Sequence, residues 1–143
     1  MHIATETISV RYAETDQMGV VYHANYLIWC EIGRTKLMED LGYKYAELET
    51  SGILSPVVNV NMNYKYPARY GEDITIHTWI AEYNGIRVTY GYEIVNQRGK
   101  VCLEGTSEHV CVKKDTFRPI AVKKFFPELH AAYGENKKHR EEQ

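Results

Sequence analysis

A long helical segment followed by a stretch of strand-like sequence constrains the fold of this chain more than any other feature. The helical pattern begins near Ala24, and Gly42 is a typical residue just beyond a helix end. The apolar residues that recur with the period of an α-helix are Leu27, Ile28, Ile32, Leu37, Met38 and Leu41. Because apolar residues, Trp29 among them, lie on more than one face of the segment, we predict that the helix is deeply buried.

The strand-like stretch divides into several β-rich runs separated by short turns that contain proline, asparagine or glycine. The four runs cover residues 53–67, 73–83, 86–97 and 100–113. Long runs joined by short turns predict an antiparallel meander rather than parallel strands joined by helices. A further strand at 3–12 precedes the long helix, and a second helix is predicted at roughly 122–134.

This order of elements predicts the α+β class. A five-stranded antiparallel sheet that wraps around the long helix is the economical way to cover the apolar faces of that helix. The chain has 143 residues, which suits a single domain over residues 1–143. We expect the charged tail, about 135–143, to fray.

The composition excludes several classes of function. The net charge of −2 gives no reason to expect a nucleic-acid partner, and no apolar segment approaches the roughly 20 residues of a membrane span. Cys30, Cys102 and Cys111 form no Cys-x-x-Cys pair, and no secretory signal is visible, so we expect reduced thiols in a cytoplasmic protein. The histidines lack the spacing of metal ligands, so neither a metal nor a cofactor is expected.

The stretch RYAETDQMGVVYHANY, residues 11–26, concentrates polar and aromatic residues between the first strand and the helix. Asp16 lies too far upstream to cap that helix, so its carboxylate can face the helix start after the chain loops back. The alternative is a turn in which the carboxylate accepts backbone N–H groups. The first N–H groups of a helix have no internal partner and can stabilise an oxyanion. An opposed carboxylate can act as a general base or a nucleophile, so the stretch predicts an acyl-transfer hydrolase.

Two more residues of this stretch are candidates, each with a structural alternative. His23 lies at the helix start, where the helix dipole favours a neutral imidazole, but a lone histidine there is more often a surface or hydrogen-bonded residue than a catalytic one. Tyr12 is either a packing residue or one that orients Asp16 and lines the site. On the helix, Glu31 and Arg34 lie three residues apart, and we expect them either to pair with each other or to find partners across a subunit interface.

The motif in this stretch resembles that of a known family. Its residues are Tyr12, Asp16, Gly19, His23 and Tyr26, and the segments PARYGED (67–73) and FRPIAV (117–122) also fit the family pattern. The chain thus resembles the hotdog-fold acyl-CoA thioesterases of the 4-hydroxybenzoyl-CoA thioesterase type, in particular the YbgC-like branch. The resemblance covers nearly the whole chain.

The resemblance implies a fold, a reaction and a set of residues. The reaction would be hydrolysis of an acyl-CoA to a free acid and CoA, without a cofactor. Asp16 takes the position of the catalytic carboxylate, and the backbone N–H of His23 takes the position that polarises the thioester carbonyl. The His23 and Tyr12 side chains line the same site. Plausible CoA contacts are Val58, Asn59, Val60, Arg69 and Arg118.

The resemblance also implies a homo-oligomer, in which two subunits pair their sheets edge to edge and dimers often form tetramers. Two alternatives for function stay open beside hydrolysis. One is a non-catalytic module that binds or senses acyl-CoA, which would have no need of the Asp16 carboxylate. The other is a hydratase on the same fold, but such enzymes use an aspartate and a histidine closer together than Asp16 and His23.

Overall fold

The computed structural model describes residues 1–137. Its main helix, α1 (Asn25–Asp40), packs on one five-stranded antiparallel sheet. The strands of this sheet are β1 (Ala4–Ser9), β3 (Val57–Tyr64), β4 (Asp73–Tyr83), β5 (Arg87–Asn96) and β6 (Val101–Val110). Two short strands, β2 (Ile53–Leu54) and β7 (Val112–Lys113), pair with each other. The prediction of one long helix on a five-stranded antiparallel sheet is confirmed.

The order of the strands is β1-β4-β5-β6-β3, so only β4, β5 and β6 form a meander. The predicted meander of four consecutive runs is wrong for the run 53–67. Pro56, which cannot donate a backbone hydrogen bond, lies between its two parts, β2 and β3. β3 then pairs with β6 at one edge of the sheet, while β1 pairs with β4 near the other edge.

The connection between β3 and β4 explains why these two strands do not form a hairpin. Ala68 donates its N–H to the Tyr26 hydroxyl at 3.1 Å, and its carbonyl accepts the N–H of Val21 at 2.9 Å. These bonds fasten the connection to the start of α1. The chain therefore passes over the end of the helix and enters the sheet again on the far side of β5 and β6.

Gly33 allows α1 to lie close to β4. A Cβ at this position would overlap Thr78 Oγ1 and would lie 2.7 Å from Ile76 Cγ2. The residues that α1 buries against the sheet are Tyr26, Trp29, Cys30, Gly33, Leu37 and Met38. The core of the domain therefore lies between this face of the helix and the concave face of the sheet.

The predicted deep burial of α1 is wrong for one of its faces. Leu27, Ile28 and Ile32 are 40%, 50% and 36% exposed. The helix contacts mainly β1 and β4, so the sheet covers only the side that faces these strands. β3 is likewise exposed along almost its whole length. One face of α1 and one edge of the sheet are thus open in the single chain.

The predicted C-terminal helix is two helices, α3 (Val122–Phe125) and α4 (Pro127–Asn136). Pro127 separates them, because proline is compatible with the first position of a helix but not with its interior. Glu135 and Asn136, which the sequence assigns to the fraying tail, are helical. The rest of that tail, from 138 to 143, lies outside the described residues. Helix α2 (Tyr45–Thr50) follows α1.

The first predicted strand, 3–12, is shorter in the structure. β1 ends at Ser9, and Tyr12–Glu14 form a 3-10 turn. No helix within residues 1–137 is long and apolar enough to cross a membrane.

Candidate active site

A buried carboxylate organises the loop between β1 and α1. Glu14 is 6% exposed and accepts the backbone N–H of Arg11 and the indole N–H of Trp29, both at 2.8 Å. The Glu14 carbonyl accepts the N–H of Tyr22 at 2.9 Å and the side-chain amide of Asn25 at 2.8 Å. Glu14 therefore ties the first turn of the loop to both the end of the loop and the helix.

Burial alone would raise the pKa of Glu14, because a carboxylate is poorly solvated inside a protein. The hydrogen bonds from Arg11 and Trp29 and the charge of Arg11 outweigh this effect, so the pKa lies below its ordinary value. Glu14 is thus an ionised structural group. The sequence gives no sign of this role, because a lone glutamate in RYAET has no neighbour along the chain that indicates burial, and its partner Trp29 lies on the helix.

Asp16 lies at the tip of this loop and is half-buried. One of its carboxylate oxygens, Oδ1, accepts the N–H of Met18 at 2.8 Å. Gly19, at a φ of +81°, closes the turn with a bond from its N–H to the Asp16 carbonyl at 3.0 Å. The alternative prediction, that the Asp16 carboxylate accepts backbone N–H groups in a turn, is therefore confirmed for one of its oxygens, Oδ1. Within residues 1–137 the other oxygen, Oδ2, takes part in no hydrogen bond or ion pair.

The loop folds back on itself as a miniature hairpin. Thr15 and Val21 form a β-bridge, and the N–H of Asp16 donates to the carbonyl of Val20 at 2.8 Å. Val20 also bridges to Arg69 in the connection between β3 and β4. These contacts hold Asp16 near Val21. Val21 in turn lines a cleft beside the start of α1.

The start of α1 leaves two backbone donors free. The N–H groups of Asn25 and Tyr26 donate to the carbonyls of Tyr22 and His23, at 2.9 and 3.3 Å. No acceptor within residues 1–137 receives the N–H of His23 or of Ala24. These two N–H groups lie at the positive end of a 16-residue helix, where an anion is stabilised.

A cleft of about 160 Å³ opens beside this helix start. Its lining residues are Val21, His23, Tyr26, Tyr64, Lys65, Tyr66, Pro67 and Cys102. The Tyr64 hydroxyl donates to the His23 carbonyl at 3.3 Å, and the Tyr64 ring also contacts the rings of His23 and Tyr26 edge-on. Burial raises the pKa of both tyrosines, so both stay neutral hydrogen-bond donors.

The structure brings the predicted site residues together only in part. His23 is exposed and lines the cleft, whereas Asp16 and Tyr12 are not among its lining residues. Tyr12 is 76% exposed and meets Tyr70 edge-on, with 5.7 Å between the ring centroids. Tyr64, which sequence analysis missed, is a wall of the cleft; its alternation with Val60 and Met62 along β3 is the signal that could have found it.

The residues expected to contact CoA lie in three places. Val58, Asn59 and Val60 are exposed on the edge strand β3. Arg69 is exposed beside the Asp16 loop, through its bridge to Val20. Arg118 lies next to β7, where its carbonyl accepts the N–H of Lys113 at 3.0 Å. The three sets therefore lie on different segments of the chain.

The expected pairing of Arg34 with Glu31 is wrong within the described chain. Arg34 points inward and donates to two tyrosine hydroxyls, of Tyr45 at 3.0 Å and of Tyr92 at 3.2 Å. Glu31 is exposed. Within residues 1–137, no group of three or more His, Cys, Asp or Glu side chains is arranged to hold a metal ion.

The chain is similar to known thioesterases in sequence and structure. Residues 10–132 match the model of the thioesterase-like superfamily. The Bacillus subtilis (strain 168) protein named "Putative acyl-CoA thioesterase YneP" is 54% identical over 138 residues, which cover 96% of this chain and 100% of the relative. The acyl-CoA thioester hydrolase YbgC of Escherichia coli O157:H7 is 29% identical over 117 residues, 82% of this chain and 87% of the relative. Among solved structures, the DHNA-CoA thioesterase from Staphylococcus aureus has a TM-score of 0.91 at 43% identity, with 94% of this chain and 91% of that chain covered.

Proposed function

The chain belongs to the thioesterase-like superfamily and has its hotdog fold, and from this premise we propose that it hydrolyses an acyl-CoA to a free acid and CoA. The observation that carries the proposal is the start of α1. The N–H groups of His23 and Ala24 have no acceptor within residues 1–137, and His23 lines an aromatic cleft. Such donors stabilise the negative charge that develops on a thioester oxygen during attack at its carbonyl carbon.

Asp16 is the proposed catalytic carboxylate. Its Oδ1 is held by Met18, which orients the side chain, and its Oδ2 is available to a substrate or a water molecule. As a general base, Asp16 takes a proton from water while the water oxygen attacks the carbonyl carbon. The tetrahedral oxyanion then collapses, the C–S bond breaks, and CoA leaves as a thiolate that takes up a proton.

Asp16 can also attack the carbonyl carbon directly and form a mixed anhydride, which water then cleaves. Single-turnover hydrolysis in ¹⁸O-labelled water distinguishes the two routes. When water attacks the anhydride at the aspartyl carbon, label enters the Asp16 carboxylate. A general base leaves the protein unlabelled.

His23 and Tyr12 act beside Asp16 in this proposal. His23 contributes its backbone N–H to the oxyanion and its ring to the cleft wall, together with Tyr64. Tyr12 lies one turn before Asp16 on the same loop, and its exposed ring is available to a substrate that approaches the loop. Among the proposed CoA contacts, Arg69 lies beside this loop, because it forms a β-bridge with Val20.

We propose a homodimer that pairs its β3 strands edge to edge and assembles further into a tetramer. The free edge of β3 and its exposed Val58 and Val60 support this, because an unpaired apolar edge favours addition of another strand. Antiparallel pairing about a two-fold axis would bring the Val57 end of one strand beside the Tyr64 end of the other. Val58, Asn59, Val60 and Arg118 of one subunit would then contact CoA bound at the helix start of the other.

A cytoplasmic location is part of the same proposal. Cys30 and Cys102 are buried free thiols, and Cys111 is a half-buried one. Burial raises the pKa of Cys102 and of Cys111 to about 11, so both stay protonated and unreactive. Unpaired thiols are typical of a reducing compartment.

The second candidate is a non-catalytic module that binds acyl-CoA. The hydrogen bond from the Met18 N–H to the Asp16 carboxylate favours it, because this bond gives the carboxylate a structural role that needs no catalysis. The test is CoA release, followed with a thiol reagent, over a panel of aromatic and aliphatic acyl-CoAs that includes DHNA-CoA. Turnover of at least one substrate, lost in Asp16→Asn, supports the thioesterase. Thermal stabilisation by acyl-CoA without release of CoA would favour the binding module.

A further inference from the structure

The loop that carries Asp16 is attached to α1 on two sides. Glu14 makes one attachment, through the indole of Trp29. The other attachment begins at the hydroxyl of Tyr26, the second residue of α1, and passes through the connection between β3 and β4. This second attachment joins the two parts on which the proposed reaction depends: the Asp16 carboxylate and the free N–H groups at the helix start.

A short series of hydrogen bonds forms the second attachment. The Tyr26 hydroxyl accepts the N–H of Ala68 at 3.1 Å, and the Ala68 carbonyl accepts the N–H of Val21 at 2.9 Å. Across the peptide unit before Val21, the Val20 carbonyl accepts the N–H of Asp16 at 2.8 Å. Three hydrogen bonds therefore link Asp16 to the first turn of α1.

The members of this series are buried. Tyr26, Ala68 and Val21 are 4%, 0% and 5% exposed. The Tyr26 ring meets the rings of Trp29 and Tyr64 edge-on, with 5.1 and 5.4 Å between the centroids, so its hydroxyl is held in one place. A buried N–H that loses its acceptor is costly, so we expect the connection around Ala68 to shift when this hydroxyl is removed.

We propose that Tyr26 is a positioning residue for the hydrolysis, because its hydroxyl sets the distance between the Asp16 carboxylate and a thioester carbonyl held by the His23 N–H. The inference rests on the proposed function. Tyr26 acts through Ala68 and Val21 rather than on the substrate. Catalysis is sensitive to such distances, since a displacement of about 1 Å can cost about 10²-fold in rate.

Tyr26→Phe removes the hydroxyl and keeps the ring in the core, so the fold should survive, as circular dichroism can verify. For an acyl-CoA that the wild type hydrolyses, kcat should fall about 10–100-fold, whereas KM should change less than about twofold. Tyr83→Phe is the matched control, because it removes a half-buried hydroxyl that is bonded to His130 at 2.6 Å. Unchanged kcat in Tyr26→Phe, or an equal fall in both variants, overturns the proposal.

A double-mutant cycle separates positioning from direct contact, which is needed because Tyr26 also lines the cleft. If Tyr26 acts through Asp16, adding Tyr26→Phe to Asp16→Asn should lower the residual kcat less than about twofold. If Tyr26 acts on the substrate itself, the two losses multiply. That result would overturn the positioning role.

Amide hydrogen exchange, followed by mass spectrometry on the full-length chain, tests the attachment without any turnover. Peptides that cover 15–22 and 66–70 should exchange at least about fivefold faster in Tyr26→Phe than in wild type, whereas Tyr83→Phe should leave both unchanged. Unchanged exchange in Tyr26→Phe overturns the inference even when the enzyme is active. Absence of hydrolysis in the wild type would instead contradict the proposed function, whatever the exchange rates.

Discussion

The indole N–H of Trp29 donates to the buried carboxylate of Glu14 at 2.8 Å. This bond joins the second turn of α1 to the loop that carries Asp16. Along the chain, residues 15–28 separate the two bonded residues. Glu14 also accepts the backbone N–H of Arg11 through its carboxylate and the N–H of Tyr22 through its backbone carbonyl, so both ends of the loop bond to this one residue. The position of Asp16 relative to the helix start is therefore determined by Glu14.

Glu14→Gln tests this dependence. An amide has one acceptor oxygen and no charge, so the variant should lose about 1.5–3 kcal/mol of unfolding free energy at pH 7. The pKa of Glu14 lies below its ordinary value of 4.5, so its contribution is present above pH 4.5 and is lost as the pH falls through the lower value. Urea unfolding at pH 7 and pH 3 should show a smaller difference between variant and wild type at pH 3. The exposed Glu82→Gln is the control, and an equal effect of both changes would contradict the role of Glu14.

Gly33→Ala should destabilise the protein although alanine favours helices. The added Cβ would overlap Thr78 Oγ1, and overpacking of this kind costs about 1–3 kcal/mol, against about 1 kcal/mol gained in helix propensity. Gly134→Ala in α4 is a matched control, because its Cβ would meet no atom within 4 Å. Thermal unfolding should show a lower Tm for the first variant and an unchanged or higher Tm for the second. A stabilising Gly33→Ala would mean that α1 lies farther from β4.

His109 predicts a loss of stability in mild acid. It is buried, with its ring nitrogens bonded to Ser107 Oγ at 2.9 Å and the Ser55 carbonyl at 3.2 Å. Burial, aided by the charge of Arg34, lowers the pKa of His109 to about 4. Between its ordinary pKa of about 6.5 and pH 4, the unfolded chain therefore binds a proton that the folded chain does not, and stability falls by up to about 3 kcal/mol.

Urea unfolding of wild type and His109→Gln between pH 7.5 and pH 4 checks this prediction. The variant should be less stable at pH 7.5 and should lose less stability than wild type as the pH falls. Parallel pH profiles for wild type and His109→Gln would contradict a neutral buried imidazole.

Asp16→Asn should lower kcat by about 10²–10⁴-fold, the usual contribution of a general base. The amide still accepts the Met18 N–H, so the turn and the Tm should stay close to those of wild type. Asp16→Ala removes that acceptor as well and should lose both activity and some stability. Acyl-CoA hydrolysis and thermal unfolding measured side by side separate the two roles. Full activity in Asp16→Asn would eliminate Asp16 as the catalytic carboxylate.

Val60→Lys should weaken the proposed dimer. Pairing of two β3 strands would set the two added ammonium groups close together, and such like-charge contacts raise the dissociation constant about tenfold or more. Analytical ultracentrifugation over a concentration series measures the change, and activity should fall with the dimer. Thr5→Lys, on the opposite edge strand β1, is expected to leave association unchanged. Dissociation caused by Thr5→Lys alone would move the interface to β1.

Local patterns in the sequence are sufficient to predict the individual elements and the family. The helical period over 24–41, the turn residues between the β runs and the motif from Tyr12 to Tyr26 are local patterns, and helix α1 and the hairpins β4-β5 and β5-β6 follow from them. The free donors at the start of α1 are also a local property, since every helix leaves its first N–H groups without internal partners. The motif was sufficient to identify the superfamily.

Which distant groups contact each other depends on the packing of the whole chain. β3 lies beside β6 rather than β4, because Ala68 fastens the intervening connection to the start of α1. Glu14 is buried because Trp29 reaches it from the helix, and Arg34 binds Tyr45 and Tyr92 rather than Glu31 because α1 turns that side toward the sheet. Strand alternation and helical period specify which face is apolar, but they do not specify the partner, which depends on how the whole chain packs.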